Sequence, residues 1–454
     1  MVSKALSRGL GLTLASLLIM SINPGCSNYQ IPGKGSGGEI KANSCEGCHT
    51  DYERLMAVHT PDTAAPPGGC GGSAPHYEPY DRVFLGGTGY DDFKLSGHYG
   101  IGCTGCHNGN GNTGDKVEAH SGDWIASPSM AHQEKCATCH ETESDDFVTS
   151  LHNGTGQMRK VAIRSGKEGA HEFDQLPAHQ IAGYDAKCSI CHGTCGNCHV
   201  VRPAIAGGGL SKGHNFNKIP DWYNVCVSCH TSRGGHAFLG TEAEPDFHRD
   251  SLEYTCLNCH DGHELHGDGQ PVEQRYAYTE LPTCEAEGCH EGREESNPYH
   301  IKHYDDFQCQ ICHSQDYNSC GACHIKDGHP EIEAHMDFKI ALNTIPDVKE
   351  HKFALVRRNL AHPDNWKGYG DDLVYSNFEA FPTFNYTTPH NILKRTARTE
   401  DGAFCYSNCH IRNEGGVLVN AEYYLWRDSL LTWEIEATEA YTVDGELPSY
   451  WFAE

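Results

Sequence analysis

The most informative stretch of the chain is Cys188-Ser-Ile-Cys-His-Gly-Thr-Cys-Gly-Asn-Cys-His199, in which the pattern C-x-x-C-H occurs twice within twelve residues. The same pattern occurs nine times in the 454 residues, between Cys45 and His324. The chain contains 24 Cys and 31 His, whereas hydrophobic residues make up only 38%. A chain this poor in apolar side chains cannot fill a large interior with Leu and Val alone. The repeated Cys and His therefore indicate that something else fills much of it.

The spacing of this pattern has a direct chemical reason. C-x-x-C-H is the attachment signature of c-type haem. Two thiols on one turn reach the two vinyl groups on one side of the porphyrin, and the next imidazole reaches the iron as proximal ligand. Zinc is the alternative for C-x-x-C pairs, but a zinc site does not require a His directly after the second Cys. The nine sites are Cys45/Cys48/His49, Cys103/Cys106/His107, Cys136/Cys139/His140, Cys188/Cys191/His192, Cys195/Cys198/His199, Cys226/Cys229/His230, Cys256/Cys259/His260, Cys309/Cys312/His313 and Cys320/Cys323/His324.

Two further sites have a longer spacing between the cysteines. Cys284 and Cys289 are separated by four residues before His290, an arrangement that resembles a known variant in small multihaem cytochromes. Three residues lie between Cys405 and Cys409, which precede His410; here a disulfide or a free pair of thiols is the alternative. The eleven sites would use 22 of the 24 cysteines and bind about eleven haems, leaving Cys26 and Cys70.

A second axial ligand is needed for each six-coordinate haem. Eleven of the 31 His are proximal, so 20 remain, against only six Met, and we expect bis-histidine ligation. Residues 179–219 and 300–340 repeat one arrangement of two sites and two further His, which indicates an internal duplication. The repeat makes His179, His214, His300 and His335 the best distal candidates. Further candidates, chosen by position, are His98, His132, His390, His59, His120, His152, His248, His263 and His303.

Residues 1–26 have the pattern of an export signal. Lys4 and Arg8 give it a positive start, and residues 9–20 are apolar but too few to span a bilayer. Gly25-Cys26 resembles a bacterial lipoprotein cleavage box, in which Cys26 would be lipidated; an ordinary secretory signal is the alternative. We therefore predict an exported protein, either an outer-membrane lipoprotein at the cell surface or a periplasmic protein.

The spread of the sites divides the mature chain into three parts. Residues 27–178 hold three sites, residues 179–345 hold seven, and residues 346–454 hold one. The connecting stretches are rich in Gly, Pro, Asp and Asn, which predicts a loop-rich fold with short α-helices, few strands and a haem-filled core. Residues 421–437 have helical apolar spacing and predict an amphipathic helix. We expect the aromatic-rich last part to pack over its haem; a docking surface is the alternative.

The overall charge and the motifs together limit the function. A net charge of −27 argues against nucleic-acid binding. The haem motifs and the signal segment resemble those of the outer-membrane multihaem cytochromes of metal-respiring bacteria. That resemblance implies an electron carrier that passes electrons to partner redox proteins or extracellular metal oxides and is not itself an enzyme. One alternative is a multihaem oxidoreductase acting on nitrite, hydroxylamine or tetrathionate, with the atypical Cys405/Cys409/His410 site as its open haem. The other is a subunit of a cytochrome filament.

Overall fold

The computed structural model describes most of the chain from residue 40 onwards. Two of the eleven sites, Cys188/Cys191/His192 and Cys320/Cys323/His324, lie outside the described residues, as do Cys26, Cys70, His132 and His335. The described residues are 40–63, 68–69, 72–73, 76–131, 133–154, 158, 161–163, 165–167, 170–187, 193–230, 234–240, 244–272, 275–278, 280–316, 325–326, 329–330, 338–358, 382–399, 405–432 and 434–452.

Short helices joined by loops make up most of the fold, with few short strands, as the sequence predicts. The longest described helix, Ala178–Lys187, has ten residues. Helices this short are not stable alone in water, so tertiary contacts must hold them. The α-helices are Cys45–His49, Tyr52–Val58, Pro79–Val83, Thr88–Leu95, Cys103–His107, Lys116–Ala119, Pro128–Ala131, Gln133–Ala137, Glu141–Thr149, Ala178–Lys187, Cys195–His199, Ser228–His230, His236–Leu239, Phe247–Leu252, Gly262–His266, Pro298–His303, Cys309–His313, Cys405–Cys409 and Ile435–Thr438.

Single turns of other helix types complete the helical part. A π-helix, Trp222–Val227, leads directly into the motif helix Ser228–His230. The described 3₁₀ turns are Gly97–Ile101, Leu151–Asn153, Ala170–Gln175, Ala204–Ala206, Cys256–Asn258, Ala421–Tyr423, Arg427–Ser429, Glu439–Tyr441 and Ser449–Trp451.

Strands form one three-stranded antiparallel sheet and three small ladders. The strand Phe353–Arg358 is the middle of the sheet and pairs with Lys339–Leu342 on one side and Phe384–Tyr386 on the other. Its burial is nearly continuous, because the sheet is covered on both faces. The two-stranded ladders pair Gly68–Gly69 with Gly72–Ser73, Ile325–Lys326 with His329–Pro330, and Arg412–Glu414 with Val417–Val419.

An aliphatic core lies around this sheet, in the C-terminal part of the chain. Ile340, Leu355, Ile411 and Val443 pack together there, each at most 2% exposed. The described clusters nearer the N-terminus are smaller, as around Tyr184. The C-terminal part therefore has a conventional aliphatic core, which the composition did not indicate, while a haem-filled core elsewhere stays a prediction.

The predicted amphipathic helix over residues 421–437 is wrong. The described residues of this segment form only the short turns Ala421–Tyr423 and Arg427–Ser429 and the start of the four-residue helix Ile435–Thr438. Between the turns, the Leu425 amide donates to the Ile340 carbonyl at 2.9 Å. Leu425 is fully buried in this extended conformation, so pairing with the sheet overrides the helical spacing. Within the described ranges, no helix has the length and apolarity needed to cross a membrane.

Candidate haem-binding sites

Seven of the nine described motifs form a tight turn that begins at the first cysteine, whereas Cys136 and Cys226 lie inside helical segments that begin at Gln133 and Trp222. In Cys195–His199, the Thr194 and Asn197 side chains close a capping box at the start of the helix. The same box occurs at Cys256–Asn258, where Thr255 and Asn258 form it. The cap fixes the first turn, and residues three apart lie on one helix face. Both thiols are therefore presented on one side of the turn.

The two stretched sites reach a similar arrangement in different ways. Cys405–Cys409 is helical, so its two cysteine positions are about one turn apart along the helix, with His410 directly following. The Cys284 site is a series of turns, in which the His290 amide donates to the Cys284 carbonyl at 3.0 Å. This bond closes the loop, so the four intervening residues bulge outward while the ends of the motif stay together.

Every described proximal His lies opposite one other His. Nine such ring pairs occur among the described residues, with centroids 6.0–6.3 Å apart. Naming the proximal residue first, they are His49–His120, His107–His214, His140–His98, His199–His266, His230–His152, His260–His390, His290–His248, His313–His300 and His410–His303.

This separation is too large for direct stacking and too uniform for chance contacts. Two imidazoles on opposite sides of one metal ion, each bound through a ring nitrogen at about 2.0 Å, have centroids about 6 Å apart. The narrow range over nine pairs is therefore the separation that two imidazoles would have if each pair held one metal ion, such as a haem iron.

Hydrogen bonds fix the orientation of many of these rings. The Nδ1 atom of His107 donates to the Ile125 carbonyl at 2.9 Å, and that of His120 donates to the Lys116 carbonyl at 2.7 Å. A proton on Nδ1 leaves Nε2 unprotonated and available as a metal ligand. Bonds from Nδ1 to backbone carbonyls also hold His49, His199, His300, His303 and His313.

Burial favours the neutral form of ten of these imidazoles. Desolvation is the main cause that lowers their pKa, to about 4 for His214. A metal ligand must be the neutral imidazole, so this shift favours ligation. Desolvation also lowers the pKa of His49, His98, His107, His152, His266, His290, His313, His390 and His410. His260 is an exception, because the hydrogen bond that it donates to the Glu264 carboxylate raises its pKa.

One continuous cavity connects the pairs. It has a volume of about 3630 Å³ and is lined by both members of eight of the nine pairs, all except His49–His120. A pocket for one drug-sized ligand measures about 300–1,000 Å³, so this cavity has room for several large planar groups in series.

Contacts between thiols give the order of the sites. The first cysteines of neighbouring motifs are hydrogen-bonded to each other, as for Cys45 and Cys103, where the contact lowers the pKa of Cys45 to about 6 and raises that of Cys103. The other pairs of this kind are Cys136 with Cys195, Cys226 with Cys256, and Cys284 with Cys309.

The other neighbouring sites are linked by electrostatic interactions between their cysteines or by packing against the same residues. These interactions join Cys106 to Cys136, Cys198 to Cys226, and Cys259 to Cys289, while Cys312 and Cys409 both pack against one core cluster. The nine described sites therefore form one row, which runs by proximal ligand through His49, His107, His140, His199, His230, His260, His290, His313 and His410.

The first site of this row lies apart from the cavity that the other eight sites share. Cys48 and Cys45, both predicted to form haem thioethers, do not line the cavity, and neither does His49. The Cys48 thiol is free and only partly buried, and its helix, Cys45–His49, contains no buried residue. The physical reason is position: the site is the first in the row, so a described neighbouring site covers it on one side only. Attachment of a haem through Cys48 stays a prediction, but that haem would lie near the surface.

Most of the candidate distal ligands occur in the pairs. Eight do so: His98, His120, His152, His214, His248, His300, His303 and His390. Of the described candidates, three occur in none of these ring pairs. His59 donates to the Met56 carbonyl and packs on Tyr80. His263 bonds the Tyr278 hydroxyl at 2.7 Å, and His179 lies in the helix Ala178–Lys187. His132 and His335 are outside the described residues.

Sequence reasoning missed one ligand candidate, His266. It follows His263 by three positions in the helix Gly262–His266, and its ring lies 6.0 Å from that of His199. Two His on the helix directly after a motif were a usable signal, but position alone could not select between them.

The Cys139 sulfur forms a disulfide bond, which a thioether link to a porphyrin would replace. Among the described side chains, no group of three or more His, Cys, Asp or Glu is placed to surround a metal ion.

Comparison of the chain with protein-family models, curated proteins and solved structures finds no match.

Proposed function

We propose that this chain is an electron-transfer protein that carries about eleven covalently bound c-type haems. The observation that supports this most is the set of nine ring pairs at 6.0–6.3 Å, each containing the His that ends a Cys-x-x-Cys-His motif or one of its stretched forms. The motif and the pairing are independent, since one is local in sequence and the other comes from the fold.

The residues of the chain would then hold the haems in fixed positions. The cysteines attach the porphyrin edges, the paired imidazoles bind the iron, and the Nδ1 hydrogen bonds keep both rings in place. A six-coordinate haem supplies one-electron chemistry without making or breaking bonds. The row of adjoining sites along one cavity supports a conduit, in which an electron passes between neighbours, more than a set of separate centres.

The alternative of a substrate-converting enzyme is less supported. The site named for it in the sequence, that of His410, has His303 opposite at 6.1 Å, and Trp451 stacks on His410 at 4.5 Å. An open haem for nitrite, hydroxylamine or tetrathionate would need a free position on the iron.

The alternative of a filament subunit has no specific observation in its favour. Every described proximal His has its partner within this chain, so none of these pairs needs a second subunit.

We further propose export through residues 1–26 and a lipid anchor at Cys26, with other redox proteins and extracellular metal oxides as electron partners. The net charge of −27 supports the proposal of metal-containing electron partners in part, because it suits a soluble surface that attracts cations.

Intact mass spectrometry of the mature protein tests the proposal. Production in a bacterial host that matures c-type cytochromes should give a mass with about eleven haem additions, and a haemochrome assay should give the same number. A mass matching the bare polypeptide would refute the proposal. Ferric spectra then separate conduit from enzyme: an all low-spin spectrum, unchanged by nitrite, hydroxylamine or cyanide, supports the conduit, whereas a high-spin band that shifts with them supports an enzyme.

A further inference from the structure

Two neighbouring sites differ from the others in what holds their ligands. The Nδ1 atom of His260 donates to both carboxylate oxygens of Glu264, at 2.8 and 3.0 Å. The Nδ1 atom of His248, the partner of His290, donates to the Asp246 carboxylate at 3.0 Å. In seven other rings of the pairs, the acceptor is a neutral backbone carbonyl.

Both carboxylates are shielded from water. The Asp246 side chain is 5% exposed and that of Glu264 is 13% exposed. Charges in such positions act through a low dielectric and are little screened by salt. Their effect on a bonded imidazole is therefore much larger than that of the exposed acidic residues that make up most of the net charge.

Asp246 also connects the two sites. Its second oxygen accepts from the Ile392 amide at 2.9 Å, and the Phe247 amide donates to the Ile392 carbonyl at 2.8 Å. Ile392 is two residues after His390, the partner of His260. One buried carboxylate thus holds a ligand of one site and the ligand loop of the next.

A carboxylate that accepts from a ligating imidazole makes that imidazole a stronger electron donor. Stronger donation and nearby negative charge favour the ferric state of a haem, and so lower its reduction potential. Resting on the proposed function, we infer that Glu264 and Asp246 make the His260–His390 and His248–His290 sites an adjacent pair of low potential within the row. Electrons passing along the row would have to cross this pair.

The test compares amide variants with matched controls. Glu264→Gln and Asp246→Asn each remove one charge while keeping side-chain size. Asp261→Asn and Asp250→Asn remove the same charge at nearby positions that accept no imidazole bond; Asp261 caps the helix that carries Glu264, and Asp250 is exposed on the helix that follows Asp246. Haem count and low-spin spectra are recorded first for every variant, followed by a potentiometric titration.

We expect each test variant to keep its haems and low-spin spectrum. The reduction equilibrium constant of one haem should rise about tenfold, because a charge-assisted hydrogen bond becomes a neutral one; tenfold is 59 mV for a one-electron couple. The reduction equilibrium constants of the haems in the control variants should change far less. Titrations that match the wild type, or shifts no larger than those of the controls, would overturn the inference. Absence of covalent haem from the wild type would instead overturn the proposed function.

Discussion

Two histidines of one short helix provide the sharpest test of the pairing. His263 and His266 lie three positions apart in Gly262–His266, and sequence reasoning selected the first of them. The structure pairs the second, at 6.0 Å from His199, while the Nδ1 atom of His263 bonds Tyr278 at 2.7 Å. Replacing each with Ala makes the same chemical change on the same helix, with opposite expected results.

The size of the effect follows from the number of ligands lost. His266→Ala leaves the His199 iron with one protein ligand, so about one in eleven of the haem irons predicted from the motifs becomes five-coordinate. The reduced variant should bind about one CO per chain, and its ferric spectrum should gain a small high-spin band. His263 is 59% exposed, so His263→Ala should cost no more than about 0.5 kcal/mol and leave every haem low-spin.

CO titration followed by absorbance and electron paramagnetic resonance of the ferric state are the assays. Wild type and His263→Ala should bind the same amount of CO, and His266→Ala should bind one equivalent more. If His263→Ala gained the CO site and His266→Ala did not, the pairing drawn from the structure would be wrong at this helix. If neither variant gained a CO site, a residue other than His263 and His266 would have to be the second ligand of the iron at His199.

Three further changes test other parts of the structure. Glu434→Ala removes a fully buried carboxylate that binds Arg358 through Nε at 2.5 Å and Nη2 at 2.9 Å, and loss of this buried ion pair should cost about 3–5 kcal/mol in urea unfolding. Leu355→Ala, at a fully buried position of the sheet, should cost about 2–5 kcal/mol in the same assay; a smaller loss would argue against the C-terminal core. Trp451→Ala uncovers the ring of His410, so water should lower the potential of that haem while its spectrum stays low-spin.

Local features of the sites could be predicted from the sequence. The motif fixes the positions of the cysteines and the proximal His, because two thiols and an imidazole must meet one porphyrin. The position of His300 could also be predicted from the sequence, since it lies nine residues before Cys309 and pairs with His313 of the same site. Its equivalent in the first copy of the repeat, His179, precedes a site outside the described residues.

Pairings between remote segments could not be predicted in the same way. The repeat made His214 a distal candidate, and its ring lies opposite that of His107, but nothing local in the sequence indicates this partner. The same holds for His390 and His260, which the fold brings together. The C-terminal sheet was missed although Phe353–Arg358 begins with a continuous apolar run, because such short runs do not distinguish a buried strand from a helix.

The way ligands are shared between sites explains how so many short helices can be stable together. The helix Gly262–His266 holds Glu264 against His260 and carries His266 for the site of His199. The segment beginning at Asp246 bonds a ligand of one site and the loop of its neighbour. Each of these two segments is too short to persist alone, and each contacts residues of two sites, those of His260 and His199 in the first case and those of His290 and His260 in the second. If the proposed haems are bound, loss of one iron would therefore release ligands and turns of a second site as well, and we expect folding and cofactor attachment to be coupled.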